Sequence, residues 1–357
     1  MDPLAHTLIG ATLGETRFNR WTPLARTTLI IAANIPDIDA GCGVLGRDFS
    51  LGFRRGHTHG VLAMIVLPIV LTAIITLVDR KFRRPRGKPP VDPRAILALS
   101  VLGVLTHPFL DWLNNYGVRL LMPFSDEWFY GDAVFIIDPW IWLTAGAAVF
   151  LAHSHSRRSL AGWGILALLA SALVLGTSWP PLAAKVAWVA GLGILIALRV
   201  RLGARVEVYR LATGTVLGIA VYAGAMVAGS ALARAQARTW YAKQGVEVEA
   251  VMAAPLPARP LARDVVARAG DRYLFAELDW LADPILRRSH PDVAVGDGPI
   301  ARQALALRPG LETWIRFPAF EVERSEGGHE VRIRDVRYDR HGARLGRAVV
   351  LVPETRP

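Results

Sequence analysis

Long apolar segments alternate with short polar segments over the first two thirds of the chain. Apolar runs lie at residues 60–79, 95–113, 134–152, 160–178, 183–199 and 211–233. Each is close to the length of about 20 residues that spans a hydrocarbon core. Two shorter runs, at 3–16 and 22–36, suit short spans or half-helices packed against the others. The pattern predicts an all-α polytopic membrane domain of about 6–8 membrane helices over residues 1–235.

The pattern changes after residue 235, where charged residues become frequent and no apolar run approaches the length of a span. Segments 247–252, 313–324, 330–338 and 347–352 mix β-branched and charged residues with an alternation of about two residues, which is typical of strands. Gly327-Gly328 and His341-Gly342 read as hairpin turns. We therefore expect residues 236–357 to form an extramembrane α+β domain, which is long enough to bury its own core.

Composition and charge support a membrane protein. The chain is 52% hydrophobic, above the usual content of a soluble domain, and its net charge is +11. The basic residues concentrate in short loops, at 80–94, 153–159, 199–210 and between residues 17 and 26. Because cytoplasmic loops are enriched in Lys and Arg, we expect these four loops to be cytoplasmic. This distribution also argues against a phosphate-binding face, so nucleic acid is not expected as a partner.

The same rule sets the expected topology. Eight crossings with both termini outside satisfy every loop, and they place the C-terminal domain on the extracytoplasmic side. Six crossings, with residues 1–36 lying in the outer interface, satisfy every loop except the one with Arg17, Arg20 and Arg26. The single cysteine, Cys42, excludes an internal disulfide and a cysteine-based zinc site. Any metal ion would have to be held by His and carboxylate side chains.

His107 and Asp111 lie four residues apart on a predicted helix, so they share one face. An imidazole and a carboxylate at this spacing are a common way for a helix to hold a divalent metal. The alternative is an Asp–His pair that only satisfies itself at a membrane interface.

Asp37 and Asp39 follow Pro36 just beyond an apolar helix. Proline disfavours helix at the residue before it, and an extended chain beyond it would aim both carboxylates to the same side. Such a pair binds a cation or acts as a base beside one, and Asp39 is the candidate general base or bridging carboxylate. The alternative is a helix end with two solvated acids.

Arg54, Arg55, His57 and His59 lie together at the start of the next apolar run. Two histidines separated by one residue in an extended chain are another common ligand spacing, although one of the two is expected to be structural. Arg54 and Arg55 could orient an anionic substrate group, and Arg119 is a weaker candidate for the same role. The alternative for the arginine pair is contact with lipid headgroups.

The remaining candidates are His6, Asp132 and Asp138. A lone histidine on an apolar helix, such as His6, is more often a core residue than a ligand. Either Asp132 or Asp138 could be the N-cap of the helix predicted from residue 134, so both are assigned to support. The loop charges place all these clusters at the outer face of the membrane. Ionisable residues beside lipid are costly, so their convergence on one face predicts a single metal site.

These motifs together resemble the YdjM-type inner-membrane family of metal-dependent hydrolases. The resemblance covers residues 1–140 and is carried by these segments: His6-x3-Gly10, Pro36-Asp37-Ile38-Asp39, Arg55-Gly56-x-Thr58-His59, His107-x3-Asp111, Asn115-Tyr116-Gly117 and Pro123-Phe124-Ser125. It implies a multi-pass protein of the bacterial inner membrane with His6, Asp37, His59, His107 and Asp111 as metal ligands. The family often has His-Arg-Gly-x-Thr-His, and here Arg54 takes the first His position, which leaves one ligand or the number of metals open.

Three functions are compatible with the sequence. The first is a membrane hydrolase with one or two zinc, manganese or iron ions, which acts on an ester or phosphoester of a lipid-linked or anionic small-molecule substrate. The second is a transporter that uses the His/Asp cluster as an ion or proton relay. The third is a partner-binding membrane protein that acts through its C-terminal domain.

Overall fold

The computed structural model describes residues 1–202, 207–339 and 345–354. Within these ranges, six helical segments are long and apolar enough to cross a membrane. They are followed by antiparallel sheets. The structure therefore confirms the predicted fold class of an all-α membrane domain followed by an α+β domain.

The helices of the N-terminal part begin and end close to the apolar runs. They are α1 (Pro3–Gly14), α2 (Ala25–Ala32), α3 (Arg47–Phe53), α4 (Val61–Val78), α5 (Pro93–Trp112), α6 (Pro139–His153), α7 (Arg157–Gly176), α8 (Leu182–Leu202) and α9 (Val208–Ala242). Short 3-10 helices cover Arg17–Arg20, Ile35–Leu45 and Arg84–Arg86, and a π-helical turn covers Asp79–Arg83. Helices α1, α2 and α6 have 12, 8 and 15 residues, and α4, α5, α7, α8 and α9 have 18 or more.

Three of these helices share the same sequence at their start. The shared start is Asp followed by Pro, at Asp2-Pro3, Asp92-Pro93 and Asp138-Pro139. In each case the Asp side chain accepts a hydrogen bond from a backbone N–H of the first turn. Proline has no N–H to lose and a fixed φ that suits the first helical position. The expected N-cap role of Asp138 is thus confirmed.

Two glycines bring α1 and α5 against α2. A Cβ atom at Gly10 would lie 2.8 Å from the carbonyl oxygen of Leu29. A Cβ atom at Gly103 would lie 2.5 Å from the Cβ of Ala32 and 3.2 Å from the same Leu29 oxygen. Small residues allow helices in membranes to approach this closely. The close packing brings together the ends of α1, α2 and α5 that carry the polar motifs.

The C-terminal part contains two antiparallel sheets. The first has the order β1-β2-β3-β4, with β1 (Ala250–Leu256), β2 (Arg259–Ala269), β3 (Arg272–Asp279) and β4 (Leu286–Ala294). The second has the order β5-β6-β7, with β5 (Pro318–Ser325), β6 (Gly328–Asp335) and β7 (Arg347–Pro353). Three short helices accompany them: α10 (Pro299–Ala306), α11 (Pro309–Trp314) and α12 (Val336–Asp339).

The alternation pattern found only part of these sheets. It predicted strands that overlap β1, β5, β6 and β7, and the Gly327-Gly328 turn does join β5 to β6. Strands β2, β3 and β4 were not predicted, and the segment predicted from residue 313 begins in α11. The predicted turn at His341-Gly342 lies outside the described residues.

The chain divides into two compact units. The first contains residues 1–38, 55–229 and 254–260, and the second contains residues 39–54, 230–253 and 261–357. Segment 39–54 is therefore part of the second unit, where α3 packs against α11. The Asp48 carboxylate accepts hydrogen bonds from the backbone N–H groups of Gly310 (3.0 Å) and Leu311 (3.2 Å) and from Arg308 Nε (3.1 Å). It thereby supplies the N-terminal cap that α11 lacks locally.

Candidate metal centre

Four side chains of the first unit converge on one point. Ligand atoms of Asp37, His59, His107 and Asp111 all lie within 4.8 Å of one another. Both histidines and Asp111 are buried, and Asp37 is half-buried. The Asp111 Oδ2 atom lies 3.3 Å from His59 Nε2 and 3.6 Å from His107 Nε2. The Asp37 Oδ1 atom lies 3.7 Å from His107 Nε2 and 4.0 Å from His59 Nε2.

Three helix ends bring these four side chains together. Asp37 lies in the 3-10 helix that follows α2, and His59 comes two residues before α4 begins. His107 and Asp111 lie on the last turns of α5, at the expected i and i+4 positions. Pro108 does not interrupt this helix, which runs through it to Trp112.

A backbone carbonyl fixes the tautomer of His107. Its Nδ1 atom lies 2.7 Å from the carbonyl oxygen of Ala33, which can only accept a hydrogen bond. The ring must therefore carry a proton on Nδ1, and in the neutral ring the Nε2 lone pair faces the cluster. A hydrogen bond from the second ring nitrogen to a carbonyl is the usual way in which a metal-binding histidine is oriented.

The cluster concentrates acceptor atoms in a buried place. His107 Nε2 and His59 Nε2 are 3.1 Å apart, and both face the Asp37 and Asp111 oxygens. A proton on His59 Nε2 would satisfy only one of these contacts. A divalent cation would be coordinated by all four ligand atoms. Mixed imidazole and carboxylate ligands are a common set for such an ion. These residues thus fit the metal that the sequence predicted.

His6 adds a further nitrogen beside this group. Its ring stacks on His107, with centroids 3.7 Å apart and planes at 14°. His6 Nε2 lies 3.4 Å from Asp111 Oδ1, and among the described residues neither ring nitrogen has a hydrogen-bond partner. The Met1 amino group also contacts Asp111 Oδ1. The two Asp111 oxygens therefore face different neighbours: Oδ1 faces His6 and the amino group, and Oδ2 faces the other two histidines.

Arg55 is directed at Asp111 rather than at open space. Its Nε lies 3.0 Å from Asp111 Oδ2, and its Nη1 donates to Asn114 Oδ1 at 3.0 Å. The guanidinium also lies over the Tyr116 ring, 4.5 Å from the centroid. Arg55 has a positive φ of 53° and is only 4% exposed. These contacts hold the Asp111 carboxylate in place.

Three of the predicted residues are not among the four clustered residues. Asp39 and Arg54 belong to the second unit, where Asp39 Oδ1 is 3.7 Å from Arg54 Nε. His57 is exposed and is not among the four clustered residues. The expectation of an extended chain after Pro36 is wrong, because residues 35–45 form a 3-10 helix. With three residues per turn, side chains two positions apart point in different directions, which separates Asp37 from Asp39.

The supporting residues have structural contacts. Asp138 accepts hydrogen bonds from Trp140 N (2.9 Å) and Ile141 N (3.1 Å) at the start of α6, and from the Tyr222 hydroxyl at 2.8 Å. Asp132 is buried and has a positive φ of 51° in the loop before α6.

Arg119 belongs to the loop that follows α5. Its Nη1 atom lies 3.1 Å from Asp126, its side chain lies over the Trp128 ring, and its backbone N–H donates to the Arg55 carbonyl at 2.9 Å. These contacts join the loop to the segment that carries His59.

Sequence reasoning missed two contributors to the centre. Asn114 is buried and bridges Arg55 Nη1 and the backbone N–H of Tyr116, and only its position directly before the Asn115-Tyr116-Gly117 motif indicated it. The Ala33 carbonyl that orients His107 gives no sequence signal, because it is a backbone group.

Comparison with known proteins identifies an inner membrane protein family. A family model described as "YdjM inner membrane protein" matches residues 1–180. The "Uncharacterized protein YfhP" of Bacillus subtilis (strain 168) is 25% identical over 157 residues, which cover 42% of this chain and 45% of that protein. The chain thus spans less than half the length of this relative. No solved structure matches the chain.

Proposed function

Because the chain belongs to the YdjM inner membrane protein family, we propose that it is an integral membrane hydrolase with a divalent metal held by Asp37, His59, His107 and Asp111. One observation carries the proposal. The Nε2 atoms of two buried histidines face two carboxylates, with all four ligand atoms within 4.8 Å of one another. His6 is the proposed fifth ligand, on the other oxygen of Asp111.

When bound, such an ion would polarise an ester or phosphoryl group and lower the pKa of a water, so that hydroxide is available for attack near neutral pH. Zinc, manganese and iron all suit mixed histidine and carboxylate ligands. The two Asp111 oxygens could each serve one ion, with Oδ2 beside His59 and His107 and Oδ1 beside His6, so the proposal covers one ion or two.

The protein side chains have separate proposed roles. Arg55 holds Asp111, and the Ala33 carbonyl holds His107, so two of the ligands are fixed before an ion binds. Arg119 is proposed to orient an anionic substrate, since guanidinium groups pair with phosphate and carboxylate.

Helix directions support a site at the outer face. The cluster lies where α1, α4 and α6 begin and where α2 and α5 end. The basic segments lie at the opposite ends of these helices, which are the cytoplasmic ends by the positive-inside rule. Helix α9 begins in a basic segment, so the C-terminal domain is proposed to be extracytoplasmic. A site at the level of the outer leaflet suits a lipid-linked or anionic substrate.

The test combines metal content with turnover in detergent-purified protein. We expect stoichiometric metal and hydrolysis of a phosphoester or ester test substrate in the parent, and loss of both in Asp37→Asn. Asp271→Asn, an exposed carboxylate of the second unit, is the control and should keep both. If Asp37→Asn keeps the metal, the proposed set of metal ligands is wrong. If the protein binds metal without hydrolysing a substrate, and proteoliposomes show an ion flux that depends on Asp111, the protein is better described as a transporter than as a hydrolase.

A further inference from the structure

A separate cavity of about 310 Å³ lies among the membrane helices of the first unit. It is bounded by α1, α6, α7 and α8 and lined only by apolar residue types. The larger side chains at its wall are Trp142, Phe150, Trp163, Trp188 and Ile196. The cavity follows α6 for about two turns, from Trp142 to Phe150. Its shape and lining suit a hydrocarbon chain.

The surroundings of the cavity are also apolar. Helix α7 exposes Leu168 and Leu169 by 71% and 66%, and α8 exposes Val186 by 59%. Side chains of this kind, exposed on helices long enough to span a membrane, face lipid. Lipid acyl chains are therefore the molecules that have direct access to the cavity.

One end of the cavity is bordered by basic residues. Arg157 lies one helical turn before the lining residue Leu160, and Arg199 lies one turn after the lining residue Ile196. The sequence between Asp138 and Glu207 contains no acidic residue, and Glu15 at the end of α1 is paired with His153 (2.7 Å) and Arg26 (2.8 Å). Arg199 donates to Ser154, from Nε to Oγ at 2.7 Å and from Nη2 to the carbonyl oxygen at 3.1 Å. These hydrogen bonds fix the guanidinium but do not neutralise it.

We infer that this cavity and its basic end bind one anionic phospholipid, with an acyl chain beside Phe150 and Trp163 and the phosphate at Arg157 and Arg199. An acyl chain leaves one apolar environment for another when it enters the cavity, so packing alone gives little selectivity. The choice of lipid must come from the charged headgroup, since basic residues at the membrane surface attract anionic lipids.

The proposed lipid site and the proposed metal centre lie on opposite faces of α1 and share no residue. Leu4 and Leu8 of α1 line the cavity, whereas His6, two residues from each, stacks on His107. Residues two apart on an α-helix point in nearly opposite directions. A bound acyl chain therefore packs against the rear of the helix that carries His6, and loss of the lipid does not remove a metal ligand.

The test is native mass spectrometry of the full chain in detergent, titrated with phosphatidylglycerol and with phosphatidylcholine of the same acyl chains. We expect one phosphatidylglycerol to bind, and to bind more tightly than phosphatidylcholine. Arg157→Gln and Arg199→Gln should each weaken phosphatidylglycerol binding by about fivefold, and the double variant should remove the preference for it.

A second pair of variants tests the cavity. At both Gly162 and Gly164 an added Cβ would meet nothing within 4 Å, but only Gly164 lines the cavity. Gly164→Leu should abolish binding of both lipids, and Gly162→Leu should leave it unchanged. Metal content should stay at the parental level in all these variants. Equal binding of the two lipids in the parent, or a bound phosphatidylglycerol retained in Gly164→Leu, would overturn the inference.

Discussion

Replacing His107 by asparagine should remove metal binding while leaving the local backbone contact intact. His107 donates from Nδ1 to the Ala33 carbonyl at 2.7 Å and presents Nε2 to Asp37 and Asp111. The asparagine side-chain N–H₂ can replace the first contact, because it lies at nearly the same distance from the backbone as Nδ1. It cannot reach the position of Nε2, so the substitution removes the ligand and keeps the anchor.

The expected loss is large. Mutation of a residue that only orients a metal ligand lowers metal affinity by about 10–100-fold, and loss of a ligand itself should cost at least about 100-fold. At a metal concentration 100 times the parental dissociation constant, binding stabilises the folded parent by about 2.7 kcal/mol. In His107→Asn the same concentration only equals the weakened constant, and the stabilisation falls to about 0.4 kcal/mol.

Two measurements check this. Calorimetric titration of metal-stripped protein gives the affinity, and the thermal unfolding midpoint with and without metal gives the stabilisation. His57→Asn is the matched control, because His57 is exposed, lies two residues from His59 and is not among the clustered residues. The reasoning fails if His107→Asn binds metal within a few-fold of the parent, or if His57→Asn loses metal to the same extent.

Three further predictions concern topology and packing. A membrane-impermeant maleimide added to intact cells should label Cys42, whereas Lys88→Cys in a Cys42→Ser background should react only after lysis. Labelling of both cysteines from outside would contradict the proposed orientation. Asp48→Ala should remove the cap of α11 and lower the stability of this helix by about 1–2 kcal/mol. Amide hydrogen exchange of residues 310–314 in the full chain should then be at least several-fold faster. Gly103→Leu should force α5 away from α2 and lower both the metal content and the stability of the protein. Gly218→Leu is the control and should retain the parental metal content, because an added Cβ at Gly218 meets nothing within 4 Å.

The strongest sequence signals were those with a fixed local spacing. The apolar runs predicted the membrane helices to within a few residues at most ends, because about 20 apolar residues have few alternatives to a span. The i, i+4 spacing of His107 and Asp111 predicted a shared face, since helix geometry is regular enough to fix it. The Asp-Pro start of α6 predicted its cap for the same reason.

Signals that depended on irregular backbone were less informative. Pro36 was expected to begin an extended segment, but the chain enters a 3-10 helix in which the Asp37 N–H bonds to the Asn34 carbonyl. Proline fits the first turn of a helix as well as it fits an extended chain, so its presence could not decide between the two. Nor could spacing show that His59 and not His57 faces Asp111, because that choice depends on the turn before α4.

The proposed metal centre depends on the close approach of helices as much as on its ligands. The Leu29 carbonyl lies beside both Gly10 of α1 and Gly103 of α5. The Ala33 carbonyl, one turn further along the chain, accepts a hydrogen bond from His107 Nδ1. Helix α2 is thus the common support against which His6 and His107 are placed. A larger residue at either glycine would move a ligand without touching it. The two glycines therefore contribute to the metal site through packing, and they explain how a site built on short helix ends can keep a defined geometry.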